Sequence, residues 1–76
     1  SQIIKDLFNF KRKFKKFKNI NYLLKLKKID LEDRYKIKID YLENRRINNF
    51  KKTNNFNLSK IFIAYYLNKV RLIDNL

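Results

Sequence analysis

The chain has 76 residues, with 20 Lys and Arg against 7 Asp and Glu, for a formal net charge of +13. It contains no Gly, Pro, Cys, Met, His or Trp. That composition rules out disulfides, thiolate or imidazole metal sites, Ser–His or Cys–His nucleophile pairs and glycine-rich phosphate loops, and with them most enzyme classes.

Hydrophobic residues make up 45% of the chain, too many for simple disorder. The charge opposes a solitary compact fold, because like charges repel when brought together. A polyanionic partner resolves that conflict, since cations at this density are the footprint of a protein that neutralises phosphates. Phe, Tyr, Ile, Asn and Lys supply 48 of the 76 residues. All five have A/T-rich codons, so the coding sequence is strongly AT-biased, as in organelle genomes. The lack of Met fits removal of an initiator before Ser1, or processing. No uncharged apolar run approaches the length of a membrane span or fits a secretory signal.

The spacing predicts a helix over residues 1–18. Ile3, Leu7, Phe10, Phe14 and Phe17 fall at alternating steps of four and three, on one stripe. Ser1 is placed to cap it and Asp6 lies near its positive end. Asn19 to Asn21 mark a break. A second, long helix is expected over 22–50, with Leu24, Leu31, Tyr35, Leu42 and Ile47 on its stripe. Asp30–Arg34 and Glu32–Lys36 then form i,i+4 pairs. The alternation from Tyr35 to Tyr41 also fits a strand. The Asn-rich stretch beginning at Asn48 gives a loop over 51–57. A third helix is expected over 58–75, apolar on most sides, with a strand at Ile61 to Tyr66 as the competing reading. The fold class expected is therefore all-α: two or three helices, extended, ordered only when bound to RNA and neighbouring proteins, in a single unit over 1–76.

Two groups of cations are candidate RNA contacts. The first is Lys11, Arg12, Lys13, Lys15, Lys16 and Lys18, interleaved with Phe10, Phe14 and Phe17. Cations neutralise phosphate, while the rings dock on protein or stack on bases. The second is Arg45, Arg46, Lys51 and Lys52 beside the Asn loop, where Arg grips phosphate bidentately. The acids Asp30, Glu32, Asp33, Asp40 and Glu43 are explained more simply by their basic neighbours than by catalysis or metal binding. No catalytic residue, metal or cofactor is expected. A basic amphipathic segment at 1–18 also fits a membrane surface.

The stretch Ile4–Lys13, through Leu7, Phe10, Lys11 and Arg12, resembles the opening of the bacterial-type small-subunit ribosomal protein twenty-one family. Asn19, Ile20, Leu23, Leu24, Lys25, Lys27 and Lys28 are loosely similar to that family's next segment. Arg45, Arg46 and Ile47 with the C-terminal Leu67–Leu76 resemble small-subunit protein eighteen. Leu42–Ile47 is similar to the hinge of large-subunit protein twenty-nine. The resemblance implies a structural constituent of a ribosome. The AT-rich coding bias points to a mitochondrial or other organellar one, and the lack of a signal pattern to a protein that is not secreted. Its partners would be rRNA and neighbouring ribosomal proteins, with no small-molecule substrate and a membrane as the less favoured partner. The alternatives are a peripheral membrane-surface subunit of an organelle complex and a small DNA-binding architectural protein.

Overall fold

A computed structural model describes residues 1–76. Helix α1 spans Gln2–Phe14. The Ser1 hydroxyl accepts a hydrogen bond from the Ile4 amide at 3.3 Å, closing the helix start. Lys11, Arg12 and Lys13 occupy the last turn, where the negative end of the helix dipole favours cations. Ile3 and Leu7 are buried, and Ile4, Phe10 and Phe14 pack against the same core. The helix stops four residues short of the expected end at 18. Beyond Phe14 only Phe17 would extend the stripe, and it is half exposed, so further turns would bury almost nothing. The Phe17 amide instead bonds the Phe14 carbonyl at 3.0 Å in a tightened turn.

Helix α2 spans Ile20–Tyr35 and buries Ile20, Leu24 and Leu31. It does not continue to 50. Lys36 takes a left-handed conformation, φ 53°, which ends the helix at the position where glycine is usual. From there the apolar spacing changes from three-and-four to two, through Ile37 and Ile39, and strand β1 follows over Lys38–Arg46.

Strands β2 (Ser59–Leu67) and β3 (Val70–Asn75) replace the expected third helix. In β2 Ile61, Ile63 and Tyr65 are buried while Lys60 is exposed and Phe62 and Tyr66 are half-buried. That alternation matches a pleat and not a 3.6-residue turn. The two-residue connection Asn68–Lys69 has φ 59° at Asn68, which a primed hairpin turn needs and which Asn tolerates. The three strands form one antiparallel sheet in the order β1-β2-β3. The all-α expectation is thereby corrected: the protein is α+β, two helices and a three-stranded sheet, and "helical" does not describe it.

A bulge between Ile39 and Tyr41 resets the phase of β1. It allows Ile39, Leu42 and Asn44 all to face inward, a spacing that a regular strand would split between faces. Both helices lie on this inner side. Ile3, Leu7, Ile20, Leu24, Leu31, Ile39, Leu42, Ile61, Ile63, Tyr65 and Leu76 form one continuous core. The radius of gyration is 11.9 Å, close to the roughly 11.4 Å expected for a compact domain of this length. The expected extended shape is corrected with the fold class.

Candidate functional site

The cations singled out in the sequence separate into two situations. Lys11, Arg12 and Lys13 sit on the last turn of α1, and Lys15, Lys16 and Lys18 in the exposed linker that follows. Partial burial pushes the Lys11 ammonium below its ordinary pKa, with Lys15 and Lys60 adding like-charge repulsion. The rings Phe10 and Phe14 lie 4.8 Å apart and Phe14 and Phe17 5.3 Å apart, a short aromatic ladder. Phe10 and Phe14 face the core, and Phe17 is half exposed. The linker meets the Asn-rich loop: Lys15, Lys16 and Lys18 with Asn54, Asn55 and Phe56 surround one open depression of ≈ 460 Å³.

The second predicted group is divided. Arg45 donates from Nε and one Nη to Glu43 Oε1, and from its other Nη to the Phe50 carbonyl at 2.6 Å. Lys52 Nζ lies 2.6 Å from Glu43 Oε2. Burial pushes the Glu43 carboxyl up, but hydrogen bonds from Lys52 and Arg45 outweigh it and hold the group below its ordinary range. Arg45 and Lys52 are therefore committed to an internal carboxylate, whereas Arg46 and Lys51 remain exposed without one.

Six cations, Lys27, Arg34, Lys36, Arg45, Lys52 and Arg71, reach a carboxylate, and the other fourteen do not. The acids are correspondingly occupied. Asp6 and Asp30 share Lys27 and Arg34, bridging α1 to α2. Asp33 pairs with Lys36 and Asp40 with Arg71. Glu32 accepts from the Ile39 amide at 2.9 Å and Asp74 from the Asn75 amide at 2.8 Å. Every side-chain carboxylate thus has a partner within this chain, and no three acids converge as a metal site. These side chains are suited to binding and to shaping an electrostatic field.

Two arrangements were not foreseen from the sequence. One is a polar cluster around the fully buried Asn44, which engages Asn21, Thr53 and Ser59. The other is the outer face of the sheet, where Tyr41, Phe50, Phe62 and Arg45 line an open cleft of ≈ 480 Å³. Both depend on strand pairing, so a helical reading of residues 36–50 and 58–75 hid them. The competing strand readings at Tyr35 to Tyr41 and at Ile61 to Tyr66 were the available signals.

No helix is long and apolar enough to cross a membrane. No family model and no solved structure matches the chain. It is similar to the pantothenate synthetase of Ruthia magnifica subsp. Calyptogena magnifica, 41% identical over 73 residues. The match takes in 95% of this chain and 26% of that protein, so the chain spans about a quarter of the length of the curated relative. The resemblances to ribosomal families are thereby corrected. They rested on short basic motifs in a chain built mostly from five residue types, with helices assumed where strands lie. The long match is to an enzyme.

Proposed function

We propose that this chain serves as one α+β domain of a pantothenate synthetase, working with a catalytic portion that lies outside these 76 residues. The observation that carries the reading is 41% identity maintained over 95% of the chain. A similarity that long extends through both helices and all three strands, unlike the short motif matches. With every carboxylate engaged, the domain's part is to bind and to set the local potential, and bond-making falls to the other portion. Pantothenate is a carboxylate, and fourteen unpaired cations favour anions near this surface. The test is a chimera in which this chain replaces the matching quarter of the relative, placed in cells unable to make pantothenate. Growth without added pantothenate is expected. A soluble, folded chimera that gives no pantothenate, where the intact relative does, overturns the reading.

A second reading keeps the polyanion as partner. It is favoured by Lys15, Lys16 and Lys18 facing Asn54 and Asn55 across one open depression. Ammonium groups there would meet RNA phosphates, with Asn amides placed for base edges or ribose hydroxyls. Steep loss of RNA binding between low and moderate salt supports it, and a flat response overturns it.

A further inference from the structure

We propose that the outer face of the sheet, centred on Ala64, is the surface against which the remaining portion of the synthetase packs. The inference rests on the pantothenate synthetase reading and adds the place of contact.

Ala64 lies on the central strand with Tyr41 of β1 and Ile73 of β3 as its cross-strand partners. Cross-strand partners share a face, as do residues two apart on one strand. Tyr41, Ile73, Phe62 and Tyr66 therefore ring Ala64, which is fully buried beneath them although neither helix lies on this side. From the loop Phe50 meets Phe62 edge-on, with ring centres 5.8 Å apart. Phe50 is held at φ 58°, a costly conformation for a bulky residue. The Phe50 amide donates to the Arg46 carbonyl at 3.0 Å, and Arg45 anchors the Phe50 carbonyl. Backbone strain is thus spent on keeping an aromatic ring on the open face. Ile73 is 62% exposed and Phe50 57% exposed, so the patch lacks a cover within this chain.

Charge selects the occupant. On this face three of five cations are matched: Arg71 donates to Asp40 at 2.9 Å, and Arg45 and Lys52 flank Glu43, whereas Lys60 reaches only the neutral Asn75 side-chain oxygen and Lys38, opposite Tyr66, has no carboxylate. The contrast is α1 and its linker, where Lys5, Lys11, Arg12, Lys13, Lys15, Lys16 and Lys18 have no carboxylate. A polyanion is drawn more strongly to that side, with its seven unpaired cations, than to the sheet. A second copy would bring another +13 to the contact. An aromatic centre with a polar, largely ion-paired rim is the anatomy of a protein–protein contact. The partner of the proposed reading is the portion of the enzyme corresponding to the other three quarters of the relative.

The test is hydroxyl-radical footprinting of this chain alone and of the chimera described above. Tyr41, Phe62 and Tyr66 are expected to react at least about five-fold more slowly in the chimera, as residues excluded from water at an interface core do. Tyr22, exposed on α2, serves as the control and should react equally in both. Equal reactivity of the three sheet residues in both proteins overturns the proposal, as does protection confined to the helices. An active chimera with an unprotected sheet face refutes this contact and leaves the function standing. A folded, inactive chimera with a protected face does the reverse. Should the chimera not fold, the same footprint on the intact relative, at the positions aligned with Tyr41, Phe62 and Tyr66, decides the matter.

Discussion

Asn21 and Asn44 hold α2 and β1 together through reciprocal hydrogen bonds. The Asn44 amide donates to Asn21 Oδ1 at 2.7 Å, and Asn21 Nδ2 donates back to the Asn44 carbonyl at 3.3 Å. The side-chain amide of Asn21 thus plays the part of a neighbouring strand's peptide group for the edge strand β1. It also donates to the Thr53 carbonyl at 2.9 Å, drawing the long loop into the same cluster. Replacing Asn21 with Ala leaves the Asn44 amide without an acceptor in a partly buried site. The expected loss is about 1–3 kcal/mol. For a domain of this size that lowers the melting temperature by roughly 4–8 °C per kcal/mol. Thermal melting of N21A followed by circular dichroism checks it, and an unchanged midpoint contradicts it.

The ion-pair bridge between the helices predicts the acid side of the stability curve. Burial raises the Asp6 carboxyl, but hydrogen bonds from Lys27 and Arg34 outweigh it, leaving the pKa below the ordinary 3.8. Asp30 lies well below the same value, chiefly through its hydrogen bonds from Arg34 and Lys27. Depressed carboxyls bind fewer protons folded than unfolded, so stability falls as pH falls. Their contribution is complete above the unfolded value and is lost on descending through the folded ones. Melting temperature should therefore change little from these groups between about pH 7 and pH 5, and drop progressively below about pH 4. D6N should flatten the drop, while D33N, which removes an exposed pair, should not. A pH series of melts on the three proteins distinguishes these outcomes.

How much of this was legible follows from which signals the sequence retains. Ile3, Leu7, Phe10 and Phe14 keep helical spacing, so α1 could be read. The break expected at Asn19–Asn21 lies instead at residues 15–19, since Ile20 and Asn21 already belong to α2. Lys36, Phe50, Leu58 and Asn68 all adopt positive φ in a chain with no glycine. Each would ordinarily be announced by Gly, and the announcement is missing because of the composition. Without it, the turn at Lys36 and the hairpin at Asn68 looked like helix interior. The bulge at Ile39/Tyr41 disguised β1 further, since Ile39 and Leu42 both face inward and three-residue spacing suggests a helix. At the site, the density of cations was visible in the sequence. The separation of paired from unpaired cations was not, because Arg45–Glu43–Lys52 and Arg71–Asp40 form only when the strands and loop come together.

The same argument makes K36G a stabilising substitution. A non-glycine residue in the left-handed region costs on the order of 1 kcal/mol or more. The helix C-terminus at Lys36 is a place where glycine relieves that cost. Glycine also enlarges the entropy of the unfolded chain, which offsets part of the gain. The Lys36–Asp33 pair that is lost is fully open to solvent, so its removal matters little. The net expectation is a midpoint raised by a few degrees, about 0.5–1 kcal/mol. A lowered midpoint would mean that Lys36 contributes more through contact than through conformation.

Neutralising the linker tests whether the unpaired cations act together. Lys15, Lys16 and Lys18 have no carboxylate partner and surround one depression with Asn54 and Asn55. Arg45 and Lys52, by contrast, already neutralise Glu43. Changing the three lysines to Gln should leave the fold intact, because all three are exposed and none packs in the core. If they meet phosphates, affinity for a short single-stranded RNA falls and the slope of log affinity against log salt becomes shallower by about 2, at roughly 0.7 per phosphate contact. R45Q should lower that slope much less, since the guanidinium is turned inward on Glu43 and the Phe50 carbonyl. Equal effects from the triple substitution and from R45Q would show that net charge alone governs binding. A slope unchanged by the triple substitution would remove the linker from any anion contact and leave its lysines as solvated charge.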